Sequence, residues 1–116
     1  MTTQELKERT KKFGLRIIKL VEHLPKNRAG NIIANQILRC SFSVGANYRA
    51  ACRARSKADF ISKLTIVEEE ADESLFWLEI INESNLIESR KLKNIMSEAD
   101  ELVAIFTSAG KTSKIS

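Results

Sequence analysis

The sequence predicts an all-α protein, an antiparallel four-helix bundle with up-down-up-down topology. Apolar residues recur at intervals of three and four along four separate segments, which places them on one face of a helix in each segment. A single proline and four glycines leave few positions where these helices would break. No segment of comparable length shows the alternation that is typical of a β-strand. Four helices with short connections favour the bundle.

The first two helices are predicted from their apolar stripes. The first stripe comprises Leu6, Thr10, Phe13, Ile17, Leu20 and Leu24. Pro25 ends this helix because its ring cannot continue the hydrogen-bond ladder, and the segment PKNRAG forms the turn. The second stripe comprises Ile33, Ile37, Cys40, Val44, Tyr48 and Ala51. Gly45 weakens this helix by roughly 1 kcal/mol relative to alanine, so we expect it to serve packing or a bend.

The third helix has the clearest beginning. Ser56 is expected to cap it, and Asp59 stands three residues on, in the position of a capping-box glutamate. Its apolar seam comprises Phe60, Leu64, Val67, Ala71, Ser74, Leu78 and Ile81. The fourth helix is predicted to begin near Ser89. Its stripe comprises Leu92, Ile95, Ala99, Leu102 and Phe106.

These stripes define one domain and its core. We expect the fourth helix to fray after Gly110, so that residues 1–110 form a single bundle and residues 111–116 form a flexible basic tail. The predicted core comprises Phe13, Ile17, Leu20, Ile37, Val44, Leu64, Val67, Leu78 and Leu102.

The third helix carries a second apolar face, because Phe76, Trp77 and Ile80 lie off its seam. Such a face on a monomer would be an exposed apolar patch. It is covered either by wide packing within the bundle or by another subunit, and we favour self-association through these three residues.

Composition and length exclude several classes of protein. A chain of 116 residues with 43% hydrophobic residues suits one domain with a modest core. The first residues do not resemble a signal peptide, and no apolar run is long enough to span a bilayer. Cys40 and Cys52 would lie roughly 18 Å apart on one helix, too far for a disulfide within it. We therefore expect a cytoplasmic protein with free thiols and no membrane partner.

The sequence gives little support for a catalytic or a metal-binding site. The acidic run EEEADE at residues 68–73 could suggest a carboxylate-bound metal, but bundle sites of that kind also use histidines, and His23 is the only histidine. No nucleotide-binding or metalloprotease motif is present. The sequence thus predicts a non-enzyme without cofactor, metal or small-molecule substrate, whose acidic run is solvated or faces a partner.

The segment SVGANYRAACRARSKADFISKL, followed by EEEADESLFWLEII, resembles a family of small four-helix bundle proteins. That family was first noticed as reading frames inside intervening sequences of large-subunit ribosomal RNA genes, and the accessory variability determinants of diversity-generating retroelements are similar proteins. The resemblance runs from about Ile33 to Leu86. It implies a cytosolic homopentameric ring with no established enzymatic activity. Retroelement members are partners of a reverse transcriptase and bind nucleic acid through basic surfaces.

Charge is segregated along the chain. Residues 25–58 carry seven basic side chains and no acidic one, whereas residues 59–85 carry eight acidic side chains and one basic. The bundle topology brings the turn between the second and third helices to the same end as both termini. The basic residues at that end are Lys7, Arg9, Lys11, Lys12, Arg49, Arg53, Arg55, Lys57, Lys63, Lys111 and Lys114. Against them stand Glu5, Glu8 and Asp59, which gives a predicted local balance of +8.

Two partners are considered for this basic end. One is the phosphate backbone of RNA or DNA, or a nucleic-acid enzyme such as a reverse transcriptase. The other is the acidic face of a neighbouring subunit, around Glu69, Asp72 and Glu73, which would make the asymmetry purely structural. A third interpretation is solubility alone. Tyr48 is the only aromatic residue near the basic block, so binding would be electrostatic and independent of base sequence. The residues assigned to nucleic acid are Arg49, Arg53, Arg55, Lys57, Lys11 and Lys12.

Overall fold

The computed structural model describes residues 1–115, which form four helices and contain no strand. The helices are α1 (Thr3–Val21), α2 (Arg28–Cys52), α3 (Lys57–Glu83) and α4 (Ser89–Ile115). α1 packs along α2, α2 along α3 and α3 along α4, while α1 and α4 touch more sparsely to close the bundle. This arrangement confirms the predicted all-α four-helix bundle.

The core confirms the residues predicted from the stripes. All nine are buried, and Ile17, Ile37, Val44, Val67, Leu78 and Leu102 have no exposed surface. Phe106 of α4 is equally buried, and its ring centroid lies 5.5 Å from that of Tyr48 on α2. The four stripes therefore meet along the bundle axis, and the charged side chains remain on the outside.

α2 begins earlier than its apolar stripe indicates. The Asn27 side chain accepts a hydrogen bond of 2.9 Å from the Gly30 N–H and caps the helix, so Arg28 is already helical. A Cβ at Gly30 would lie only 1.9 Å from the Pro25 carbonyl oxygen, so glycine is required where the chain folds back. The prediction that PKNRAG is all turn was wrong in its second half, because Asn27 acts as a cap.

α3 begins as predicted. The Asp59 N–H donates to Ser56 Oγ at 3.1 Å, and the Asp59 carboxylate accepts from the Arg55 N–H at 3.3 Å. The Asp59 N–H, which α3 leaves unpaired at its start, and the Arg55 N–H in the preceding turn are thereby satisfied. This cap fixes the turn that carries the centre of the basic block.

The turn between α3 and α4 closes with a left-handed residue. Asn85 has a φ of 60°, a conformation that asparagine tolerates better than most side chains. The N–H of Leu86 then donates to the Ile81 carbonyl at 3.1 Å, as in a Schellman motif. The chain reverses here within five residues, between Glu83 and Ser89.

α4 is longer than predicted. It continues through Ile115, five residues past the Gly110 at which fraying was predicted; residue 116 lies outside the described residues. A glycine inside a helix costs only about 1 kcal/mol, and a Cβ at Gly110 would lie 3.5 Å from the Glu68 carboxylate on α3. The glycine is therefore tolerated within α4, which does not end at Gly110.

The small residues of α2 serve packing within the chain. Ser41 and Gly45 are buried, and a Cβ at Gly45 would lie 3.4 Å from the backbone of Thr10 on α1. Thr10 is itself buried, and its hydroxyl donates to the Leu6 carbonyl at 2.9 Å. The close approach of α1 to α2 brings the cationic side chains of both helices together.

Candidate nucleic-acid interface

Four cationic side chains meet where the start of α1 lies against the end of α2. They line a hollow of about 190 Å³ together with Gln4 and Glu8. The four cations, which define the basic hollow, are Lys7, Lys11, Arg49 and Arg53. Glu8 is the only carboxylate in its lining, and it accepts a hydrogen bond of 3.2 Å from the Gln4 amide. The hollow therefore has a strong excess of positive charge.

Helical spacing explains why these side chains converge. Lys7 and Lys11 are four residues apart on α1, and Arg49 and Arg53 are four residues apart at the end of α2, so each pair shares a face. Within residues 1–115 none of the four forms an ion pair. Such a cluster can bind an anion without first releasing an internal partner.

Arg55 and Lys57 lie beyond this hollow, in the turn between α2 and α3 and at the first residue of α3. Both side chains are exposed. The nearby carboxylate of Asp59 is bound by the Lys63 ammonium group and by the Arg55 N–H. These bonds, chiefly the one from Lys63, lower the pKa of Asp59. The acid nearest to the basic turn is thus engaged by a neighbouring lysine.

Lys12 does not belong to the basic hollow. It does not line the hollow, although Lys11 does, because adjacent residues on a helix point about 100° apart. Spacings of four and three place Lys12 on the same face as Arg16 and Lys19 instead. Lys11 and Lys12 were predicted to contribute to one site, but they lie on two different faces of α1.

Arg9 is neutralised within the chain. Its guanidinium donates to both carboxylate oxygens of Glu98 on α4, at 2.7 and 2.6 Å, and to Glu101 at 3.0 Å. The hydrogen bond to Glu98 is the chief reason that the pKa of Arg9 is raised. The predicted balance of +8 omitted these two acids, because nothing in the sequence shows which residues of α4 face α1.

The acidic run on α3 also has partners within the chain. Arg39 of α2 donates to Glu70 at 3.1 Å and to Glu73. Glu73 also accepts from the Trp77 indole N–H at 3.1 Å. Arg39, one of the seven basic residues between residues 25 and 58, is thus the main partner of the acidic run.

Other carboxylates of the run face α4 or solvent. Glu68 accepts a hydrogen bond of 3.0 Å from the Thr107 hydroxyl on α4. Glu69 and Asp72 are exposed, and they line a hollow between α3 and α4 with Glu68. Two acids of the run therefore remain available to an outside partner.

The predicted apolar face of α3 is partly exposed. Phe76 and Ile80 are 49% and 36% exposed, whereas Trp77 is half-buried and packs against the core. The Phe76 and Trp77 rings make an edge-to-face contact with centroids 5.2 Å apart. We call Phe76 and Ile80 the α3 ridge.

A second exposed apolar surface lies between α1 and α2, and sequence reasoning did not identify it. Leu15, Ile18 and Phe42 are 54%, 42% and 45% exposed and line a hollow of about 240 Å³. We call it the apolar hollow; its rim includes Lys11 and Arg49. The available signal was that these three apolar residues lie off the stripes of their helices.

Residues 1–115 offer few side chains for metal binding or for thiol chemistry. No set of three or more histidine, cysteine, aspartate or glutamate side chains in residues 1–115 is placed to hold a metal ion. Cys40 is buried and Cys52 half-buried, and burial raises the pKa of the Cys40 thiol. None of the four helices is long and apolar enough across its described residues to cross a bilayer.

The sequence and the fold can be compared with those of known proteins. No curated protein matches the chain. A solved structure from Bacteroides thetaiotaomicron, of a protein described as belonging to the S23 ribosomal protein family, is 33% identical. The match covers 96% of this chain and 99% of that one, with a TM-score of 0.85. Residues 2–108 match the family described as 23S rRNA-intervening sequence protein. The chain therefore belongs to the 23S rRNA-intervening sequence protein family.

Proposed function

We propose that this protein is a cytoplasmic, non-enzymatic, oligomeric bundle that binds nucleic acid through its basic end without reading base sequence. The observation that carries the proposal is the basic hollow, where four cations from two helices meet around a single glutamate. Arg55 and Lys57 extend this positive surface across the adjacent turn. The proposed partner is RNA or DNA, either alone or held by a nucleic-acid enzyme such as a reverse transcriptase.

RNA is the ligand that the family description favours, because the family takes its name from 23S rRNA intervening sequences. Lysine and arginine gain affinity for phosphates by releasing counterions, and this gain does not depend on base identity. Tyr48 supplies no stacking platform, because it is only 7% exposed and packs against Phe106. Binding is therefore electrostatic.

The proposed assembly is a ring, which the resemblance implies is a homopentamer. The α3 ridge and the apolar hollow are two different surfaces, so a contact between them joins subunits head to tail. Head-to-tail contacts of this kind generate rings when the rotation between subunits closes. Phe76 and Ile80 form one side of the contact, and Leu15, Ile18 and Phe42 form the other.

The test is the salt dependence of affinity for a short fluorescein-labelled single-stranded RNA, followed by fluorescence anisotropy. The four cations of the basic hollow, with one phosphate each, contribute about −3 to the slope of log K against log salt. Replacing Arg49 and Arg53 by glutamine should reduce this slope by about 1.4, since two contacts are lost.

The matched control replaces Arg28 and Lys93, two exposed cations outside the basic hollow, by glutamine. We expect the control to keep the wild-type slope. Equal slopes in all three proteins, or binding that differs strongly between RNAs of different sequence, would contradict the proposal.

The second candidate function is structural, with basic and acidic surfaces that serve only contacts between subunits. The observation that favours it is the position of Lys11 and Arg49 on the rim of the apolar hollow. A neighbour whose α3 ridge fills this hollow would bring Glu69 and Asp72 near that rim. This candidate predicts that removing the arginines weakens the oligomer and that RNA binding is absent.

A further inference from the structure

A second cationic surface lies between α1 and α4, at the opposite end of α1 from the basic hollow. α1 and α4 pack less closely than the other neighbouring helices, and a groove of about 520 Å³ opens between them. Its lining residues, which define the α1–α4 groove, are Arg16, Lys19, Leu20, His23, Arg90, Lys91, Asn94 and Ile95. The lining therefore holds four permanently charged cations and no carboxylate.

Three of these four cations form no ion pair within the described residues. Arg90 pairs with Glu88 at 2.8 Å, but both side chains are well exposed, so the pair is weak. Arg16, Lys19 and Lys91 form no ion pair within residues 1–115. The groove thus resembles the basic hollow in having cations from two helices that face an open space.

The shape of the groove fits a strand-like polyanion. Its cations stand on two walls, α1 and α4, over a floor that includes the almost fully buried Leu20 and Ile95. The α1 wall continues through Lys12, and the distance from Lys12 to Lys19 along the helix is roughly 10 Å. A wall of this length can therefore contact more than one phosphate of a strand that lies along it.

α1 also connects the two cationic surfaces. Lys7 and Lys11 face α2 and line the basic hollow, whereas Lys12, Arg16 and Lys19 follow the face toward α4. Arg9 also faces α4, three residues before Lys12, and its ion pairs with Glu98 and Glu101 occupy its guanidinium group. A strand that leaves the basic hollow would reach the α1–α4 groove by crossing α1 at Lys12.

We infer that the α1–α4 groove is a second binding site for the phosphate backbone of an RNA strand, with Arg16, Lys19 and Lys91 as its principal contacts. This inference rests on the proposed nucleic-acid function and adds a site at the other end of α1.

The test compares Lys19→Glu combined with Lys91→Glu against a control of equal charge, Lys26→Glu combined with Lys93→Glu. The control residues are exposed and do not line the groove. With the labelled RNA, the groove variant should lose two phosphate contacts. Its salt slope should then fall by about 1.4, and its affinity at 0.1 M salt should fall roughly 20-fold beyond the control.

A third protein, with Arg49 and Arg53 replaced by glutamate, separates this inference from the proposed function. If the groove variant behaves like its control while the third protein loses binding, the groove is not a site and the proposed function stands. If the groove variant alone loses binding, the inference stands and the basic hollow is not the main site.

Two further outcomes would overturn the inference. One is that the wild-type protein binds no RNA, in which case the proposed function fails as well. The other concerns sodium tripolyphosphate as a small probe. If the groove substitutions abolish tripolyphosphate binding but leave RNA binding intact, the groove is a site for small polyphosphates and not for RNA.

Discussion

The basic hollow and the acidic run are two highly charged regions of the bundle, and their surroundings differ. In the acidic run, Arg39 binds two carboxylates and Thr107 binds a third. In the basic hollow, four cations share one glutamate, which is already hydrogen-bonded to Gln4. The acidic charge is therefore partly satisfied by the fold, whereas the basic charge is available to a partner.

This difference shows that a run of like charges in a sequence does not reveal whether the fold neutralises it. Arg9 and Lys11 are two residues apart on the same helix. Arg9 faces α4 and is bound by Glu98 and Glu101, whereas Lys11 faces α2 and forms no ion pair within the described residues. The rotation of a helix determines which cation remains available.

Disruption of the scaffold should have the largest effect, because both charged regions depend on the folded bundle. Leu64 lies on α3 between the basic turn and the acidic run and is 2% exposed. Leu64→Ala should cost roughly 2–5 kcal/mol, a large fraction of the stability of a small domain. Urea denaturation followed by circular dichroism measures this loss. A change below about 1 kcal/mol would show that the site collapses around the smaller side chain.

Assembly should depend on the exposed ridge of α3 and not on the charges. Phe76 is 49% exposed, so Phe76→Ser should leave the folded protomer stable but reduce the oligomer to smaller species. Light scattering at micromolar concentration measures the mass, and Glu79→Gln serves as a control on the same helix. Emission of the single tryptophan, Trp77, should shift to longer wavelength as its neighbour is removed. A stable wild-type monomer would contradict the proposed ring.

Removing a paired cation should lower the free energy of unfolding more than removing an unpaired one. The side chains of Arg9 and Glu98 are only 23% and 16% exposed, and Arg9→Gln leaves Glu98 without its bidentate partner. We expect a loss of roughly 1–3 kcal/mol in the free energy of unfolding, measured by urea titration. Lys11→Gln, which breaks no ion pair, should change it by less than about 0.5 kcal/mol. Equal losses of unfolding free energy for Arg9→Gln and Lys11→Gln would contradict the distinction between a paired and an unpaired cation.

The smallest predicted effect is on the stability of the fold at low pH. Hydrogen bonds from Lys63 and from the Arg55 N–H lower the pKa of Asp59 below its ordinary 3.8. The stability from this ion pair is therefore present above pH 3.8 and is lost as the pH falls through the lowered pKa. Asp59→Asn should remove this part of the acid sensitivity, measured as a smaller change in melting temperature below pH 4. An unchanged acid profile would show that other carboxylates govern acid unfolding.

The sequence was sufficient for the fold because every helix carries a regular apolar stripe, and the residues of those stripes, such as Ile17 and Leu78, are the buried ones. It was less informative at helix ends. The Asn27 side chain caps α2 by bonding Gly30 three residues on, and α4 continues past Gly110, so both helices extend beyond their predicted bounds.

The candidate site could be predicted only in outline. Arg49 and Arg53 were recognised as a basic block, but their convergence with Lys7 and Lys11 follows from the close packing of α1 on α2. The apolar hollow and the α1–α4 groove were missed for a related reason. Each is formed by residues of two helices, and a linear pattern does not show which faces meet.

The most direct test of the account is one protein in which Arg49, Arg53 and Arg55 are all changed to glutamate, with RNA affinity and oligomer mass measured on the same sample. The account predicts an unchanged mass and an affinity at 0.1 M salt that falls roughly 100-fold, since three phosphate contacts are lost. The control changes Lys26, Arg28 and Lys93 to glutamate and should retain both properties. A smaller oligomer that Glu69→Lys and Asp72→Lys restore would assign the arginines to subunit contacts and contradict the account, as would an intact oligomer with undiminished binding.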